Sequence, residues 1–126
     1  MSTIKEFTDL LVWQEGHRAV LFLYKVTEKF PTKERFSLID QMRRAAVSVT
    51  SNVAEGFGRH SYKEKIPFYY QAQGSLVELK NQVLISRDIG YLSTEDFKIL
   101  TDHLDNTHRL LQGLITKSKS FLNPES

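Results

Sequence analysis

The 126-residue sequence has no cysteine, which excludes a disulfide framework and thiolate metal sites, and it is long enough to bury a core of its own as one domain. One residue in four is charged, and three prolines and six glycines mark a globular rather than a disordered chain. The formal charge of +2 is too small to imply nucleic acid by itself, but it is uneven: residues 1–63 hold ten lysines and arginines against seven carboxylates, and residues 64–126 seven against eight.

MSTIKEFTDL lacks the apolar stretch of a secretory signal, and the longest apolar run, Ala19 to Tyr24, is far short of the ~20 residues of a membrane span. A cytoplasmic protein without membrane contact is the expectation. Residues 1–8 read as a loose tail, and helical spacing begins at Asp9 and runs to Lys29. Leu10, Trp13, His17, Val20 and Tyr24 form one stripe, and Val12, Gly16, Ala19, Leu23 and Val26 the adjoining one. Trp13 is the expected core anchor and His17 a hydrogen-bonded core histidine. Phe30-Pro31 stops this helix. Thr32 is the expected N-cap of the next, with Phe30 and Phe36 folded over the junction.

The second helix is predicted over Lys33 to Gly56. Leu38, Met42, Ala45, Ala46, Val49, Val53 and Gly56 share its apolar face, and the small residues among them allow a neighbouring helix to approach closely. Gln41, Ser48, Asn52 and Glu55 form a polar stripe beside that face, either a subunit seam or a solvated flank. Gly56-Phe57-Gly58 ends the helix, with glycine available for a left-handed closing residue. Ser61-Tyr62-Lys63-Glu64 is a capping box that opens a third helix to about Ile89, and Pro67 in its second turn predicts a bend or a delayed start. Its expected inner face is Phe68, Ala72, Ser75, Leu76, Leu79, Val83 and Ser86, with Gly74 and Ser75 close to the second helix. Gly90 is the expected C′ residue, with Tyr91 after it. Ser93 caps a fourth helix with Glu95 and Asp96 in its first turn. Phe97, Leu100, Leu104, Thr107, Leu111, Leu114 and Phe121 face inward, Leu110 and Ile115 widen that face, and the helix fades from Lys117. Four helices joined by short loops predict an all-α, antiparallel, up-down-up-down four-helix bundle over residues 1–126, with loose tails at about 1–8 and 119–126.

Residues with catalytic chemistry do not converge. His103 and His108 are five apart and share no helix face, and no Glu-x-x-His pair of the di-iron bundles occurs, so no metal or cofactor is expected. Glu95, Asp96, Asp102 and Asp105 read as a solvated face. No phosphate-binding loop is present, and Ser48 and Ser51 lie near Glu55 without a histidine in reach of Ser48, so the chain does not read as an enzyme. The basic residues Arg43, Arg44, Arg59, Lys63 and Lys65 are the candidates for phosphate contacts, with His60 beside them and Tyr62, Tyr69 and Tyr70 placed to stack on bases. The other reading of the same cations pairs them with Asp40, Glu55 and neighbouring carboxylates.

The residues also carry a resemblance. Leu11-Val12-Trp13-Gln14, Phe30-Pro31-x-x-Glu34, Gln41-x-Arg43-Arg44-Ala45-Ala46-x-Ser48, Ser51-Asn52-x-Ala54-Glu55-Gly56, Arg59, Lys63-Glu64, Gly74-Ser75-Leu76-x-Glu78-Leu79 and Gly90-Tyr91-Leu92, in this order, resemble the four-helix bundle proteins encoded in bacterial 23S rRNA intervening sequences, the S23-type family. Pro67, Tyr69-Tyr70-Gln71 and Gln73 depart from the family's more apolar helix start. The resemblance implies a bacterial cytoplasmic bundle that assembles as a ring-like homopentamer, with no established catalytic activity. It also implies kinship with the accessory variability proteins of diversity-generating retroelements, which are pentameric and bind nucleic acid and a reverse transcriptase. The expectation is a self-associating bundle that binds RNA or DNA through phosphates. The alternative is a scaffold or accessory subunit that binds a partner protein and no nucleic acid.

Overall fold

A computed structural model of the chain describes residues 3–122. Four long helices, α1 (Leu11–Thr27), α2 (Leu38–Phe57), α3 (Tyr62–Asp88) and α4 (Thr94–Ser120), surround one core, and the described residues contain no strand. α1 packs on α2 and α4, and α3 packs on the same two. Leu23, Met42, Leu76, Leu79, Leu100, Leu104 and Leu111 are withdrawn from water between them, each such burial stabilising the fold by about 1.5–3 kcal/mol. Thr27 and Arg43 meet near the end of α1 and the start of α2, and Gly16 and Thr50 meet further along both helices from that junction. Met42 meets Ser86 and Ser48 meets Ser75 between α2 and α3, and Lys29 meets Asp96 between α1 and α4.

The expected loose N-terminal tail is tied down before Leu11. Phe7–Asp9 form a 3-10 turn in which the Asp9 carboxylate accepts from the backbone N–H of Lys5 (2.9 Å) and Glu6 (3.0 Å). Phe7 sets its ring edge against Trp13 at 5.5 Å. Trp13 is therefore not a core anchor: it is half-buried between Phe7 and His17, whose ring stacks on it at 4.6 Å. The Val12–Gly16–Ala19–Leu23–Val26 stripe of α1 is buried in the core together with Thr27, whereas of the adjoining stripe only Leu10, just before the helix, is buried and Trp13 and Val20 pack against the core half-buried. Met1, Ser2 and the end of the expected C-terminal tail, 123–126, lie outside the described residues, and α4 holds its form past Lys117 to Ser120.

The junction after α1 also departs from expectation. Thr32–Glu34 make a 3-10 turn and α2 starts only at Leu38, because Ser37 takes φ −124° and ψ −100°, outside the helical region. The Ser37 hydroxyl donates to Glu34 Oε1 (2.6 Å) and the Tyr91 hydroxyl to Glu34 Oε2 (2.7 Å), so one carboxylate joins this junction to the α3–α4 turn. Phe30 is buried against Tyr91, with ring centroids 5.3 Å apart, whereas Phe36 is 89% exposed and covers nothing.

At the end of α2, Gly58 stays right-handed at φ −76°. The glycine requirement here is one of space: a Cβ on Gly56 would lie 2.6 Å from Cε1 of Tyr69. Gly74, in contrast, meets nothing within 4 Å and is not a close-approach site. Ser61 and Glu64 form the reciprocal capping box, and α3 runs unbroken through Pro67. Gly90, at φ +86°, closes α3: its N–H reaches the Arg87 carbonyl (3.0 Å) and the Tyr91 N–H reaches Ser86 (2.9 Å), the paired bonds of a Schellman motif. The Ser93 hydroxyl accepts from the Asp96 N–H (3.0 Å) and starts α4.

Three of these local ties rest on carboxylates whose pKa is held below its ordinary value. The Lys5 and then the Glu6 backbone N–H act on Asp9, the Ser37 and then the Tyr91 hydroxyl on Glu34, and the Ser61 hydroxyl and then its backbone N–H on Glu64. A folded-state pKa below the unfolded one adds stability that is complete above the unfolded value and is lost as pH falls through the folded value. Melting temperature is therefore expected to drop as pH falls from about 5 toward 3. In an Asp9→Asn/Glu34→Gln/Glu64→Gln variant the same titration, followed by circular dichroism, should give a flatter curve.

Candidate nucleic-acid interface

The two arginines of α2 leave the helix in different directions. Arg43 crosses to the end of α1. Its guanidinium lies 4.3 Å over the Tyr24 ring, its Nε donates to Thr27 Oγ1 (3.0 Å), and its Nη2 donates to the Tyr24 carbonyl (3.3 Å) and to Glu28 Oε1 (3.2 Å). It thereby neutralises carbonyls at the negative end of the α1 dipole. Arg44 points to solvent and pairs with Asp40 one turn earlier (2.9 Å), an exposed pair of the kind that contributes at most about 1 kcal/mol and yields readily to a competing anion.

The other three cations surround the α2–α3 turn. Arg59 is exposed, with its guanidinium 4.5 Å over Phe68, and His60 and Lys63 are exposed beside it. Glu64, the acidic residue of this turn, is turned onto Ser61 by the capping box. Lys65 folds inward: its Nζ donates to the Phe57 carbonyl and lies over the Phe57 and Tyr62 rings, and burial pushes its pKa down. The five cations therefore do not form one patch. At a helical rise of about 1.5 Å per residue, Arg44 and Arg59 lie roughly 20 Å apart along α2.

Of the tyrosines expected to stack on bases, Tyr69 is a correction. It is 2% exposed, its ring fills the space left by Gly56, and burial pushes its pKa up to about 12. Tyr62 is exposed but its ring already stacks on Phe121 at 4.7 Å, and Tyr70 carries Lys119 on its hydroxyl (3.2 Å).

The polar stripe of α2 splits. The hydroxyls of Ser48 and Ser75 share a 2.8 Å hydrogen bond between α2 and α3, and Asn52 Nδ2 donates to the Ser48 carbonyl (2.9 Å) and hydroxyl (3.1 Å). Those two residues serve contact within the chain, while Gln41 and Glu55 are exposed.

A second apolar surface lies outside the core. α3 is apolar on two sides. Besides its core face, Tyr70, Val77 and Leu84 repeat every seven residues on an outer stripe, with Gly74 and Asn81 between them, and Val77 is 53% and Leu84 44% exposed. Its spacing of alternating four and three residues is that of a helix–helix seam. The signal was present in the sequence at positions 70, 77 and 84, hidden by the stronger inner pattern.

Histidines do not gather. His103 Nδ1 lies 3.0 Å from Glu15 Oε1, and His108 Nδ1 lies 2.8 Å from Lys80 Nζ; burial and that lysine push the His108 pKa down. Among the described residues no group of three or more His, Asp or Glu side chains could hold a metal ion, and no helix is long and apolar enough to cross a membrane.

The family model for the 23S rRNA-intervening sequence protein matches residues 8–113, most of the chain. No curated protein matches it. The fold is similar to the crystal structure of a protein with unknown function from the S23 ribosomal protein family of Bacteroides thetaiotaomicron VPI-5482. That likeness has a TM-score of 0.76, covers 86% of this chain and 98% of the other, and carries 17% identity, a level at which it shows the fold alone.

Proposed function

The chain belongs to the 23S rRNA-intervening sequence protein family, and from that premise we propose that it is a non-enzymatic, self-associating bundle that binds RNA or DNA through phosphate contacts. The observation that carries the reading is the group Arg59, His60 and Lys63 at the α2–α3 turn, exposed while the nearby Glu64 carboxylate is turned onto Ser61. Arg44 adds a second outward cation on α2. Arg43 and Lys65 contribute charge from within, since their donors are engaged on α1 and on the end of α2. Such contacts position a phosphate backbone and read no base.

In this reading successive helices run antiparallel, as the meeting of Thr27 with Arg43 and of Gly16 with Thr50 supports. Copies associate through the outer stripe of α3 into a ring-like oligomer, a pentamer if it follows the relatives that the sequence resembles. Repeating a modest cationic group around a ring turns weak single sites into a useful one by multivalency. The cytoplasm is the compartment where such a protein would meet RNA, and kinship with the retroelement accessory proteins would extend the partners to a polymerase.

The test is fluorescence anisotropy of a labelled RNA hairpin and a DNA duplex at low and moderate salt. Binding to either that collapses with salt is expected. Absence of binding at low salt would contradict the proposal and leave the scaffold reading, in which the partner is a protein.

A further inference from the structure

Where α2 passes into α3 and α4 finishes, a pocket of about 290 Å³ opens at one end of the bundle. Its walls are largely apolar, from residues such as Phe57, Leu114 and Phe121, and the charged residues that line it are two lysines, Lys65 and Lys117, with no carboxylate. Two further lining residues are unusual. Tyr69 and Ser118 are 2% and 1% exposed as residues, no hydrogen bond among the described residues engages either side-chain hydroxyl, and neither oxygen is sealed from water as Gln82 Oε1 is, so each stays open to a ligand in the pocket.

Lys65 brings the charge. One of its three N–H donors holds the Phe57 carbonyl, which leaves two for a ligand. Desolvation in this apolar setting already disfavours its ammonium form, with Glu64 only partly opposing, so an anion beside it would relieve a standing cost. We propose that this pocket binds a small amphipathic carboxylate, its head group on Lys65, Tyr69 and Ser118 and its apolar body against Phe57, Leu114 and Phe121. The volume lies at the lower edge of the roughly 300–1,000 Å³ of ligand pockets, which suits a short apolar acid rather than a nucleotide. A monoanion matches one inward ammonium and two neutral hydroxyls better than a phosphate dianion does. This site shares only Lys65 with the nucleic-acid reading, whose outward phosphate contacts are Arg44, Arg59 and Lys63, so the two fail separately.

The experiment titrates the full chain with sodium octanoate, octylamine and inorganic phosphate and follows backbone amide resonances. Octanoate is expected to shift the amides of residues 57–69 and 114–121 and to bind at least tenfold more tightly than octylamine or phosphate. Lys65→Gln should weaken octanoate about tenfold or more, and Tyr69→Phe, which keeps the ring in the core, about threefold to tenfold. Equal shifts from octanoate and octylamine, tighter binding of phosphate, or unchanged octanoate affinity in Tyr69→Phe would each overturn the assignment, whether or not Lys65→Gln folds.

Discussion

Leu76→Ala is expected to cost the fold about 3–4 kcal/mol, near the upper part of the range for deleting a buried leucine side chain. Leu76 is fully buried on α3, at the level where Gly16 and Ala19 of α1 and Ala46 of α2 already bring the helices close. The larger side chains at that level, Val49, Leu79 and Leu104, are themselves buried and held in the core, so the space is only partly refilled and most of its cost is felt. For a domain whose whole stability is about 5–15 kcal/mol, this removes a large share. Urea denaturation should show a much lower midpoint with an unchanged slope. Leu11→Ala serves as the contrast: Leu11 is 65% exposed, and its loss should move stability by no more than about 0.5 kcal/mol.

The second large effect is expected on the outer stripe of α3. Val77→Lys/Leu84→Lys places two ammonium groups where two apolar side chains stand half exposed. If copies associate there, burying two unpaired charges opposite their own symmetry mates is prohibitive, and sedimentation velocity should report a monomer. The fold should survive, because neither side chain enters the core. The consequence for nucleic acid separates two physical effects. The variant gains two positive charges per chain, which alone would tighten phosphate binding, but it loses the repetition of sites around the assembly. Multivalency contributes about 10²–10⁴ in affinity when geometry permits, so a net loss of roughly a hundredfold is expected. Unchanged mass would remove the stripe as the seam, and unchanged mass with tighter binding would show that only charge matters.

What could be read from the sequence followed the range of the interaction. The capping box at Ser61–Glu64, the Ser93 cap and the left-handed Gly90 are each set by residues within six positions of one another, and all three stand where the sequence places them. The inner faces of α2 and α4 largely follow from spacing, but Ile39 is buried where Leu38 is expected to be and Leu38 is only partly so, Ser118 is buried without being expected, and Phe121 is exposed. The junction at 30–37 was not legible, because Glu34 is held by Tyr91, fifty-seven residues later. Tyr69 reads as a surface aromatic beside Tyr70 until Gly56 supplies the space for its ring. Arg43 and Arg44 are equivalent as neighbours in sequence. Only the packing of α1 on α2 gives Arg43 the end of α1 as its partner and leaves Arg44 outside. The basic group was thus visible as composition, but which of its members face water depends on contacts no local pattern encodes.

The outward cations are best tested by the salt dependence of binding to the labelled RNA hairpin, measured for the native chain and for an Arg44→Glu/Arg59→Glu/Lys63→Glu variant. Each phosphate neutralised contributes about 0.7–0.9 to the slope of log affinity against log salt. The account predicts a steep slope for the native protein, and for the variant a slope shallower by about 2 or more, with affinity at low salt reduced by orders of magnitude. Equal slopes for the two proteins would contradict the claim that these three residues carry the phosphate contacts.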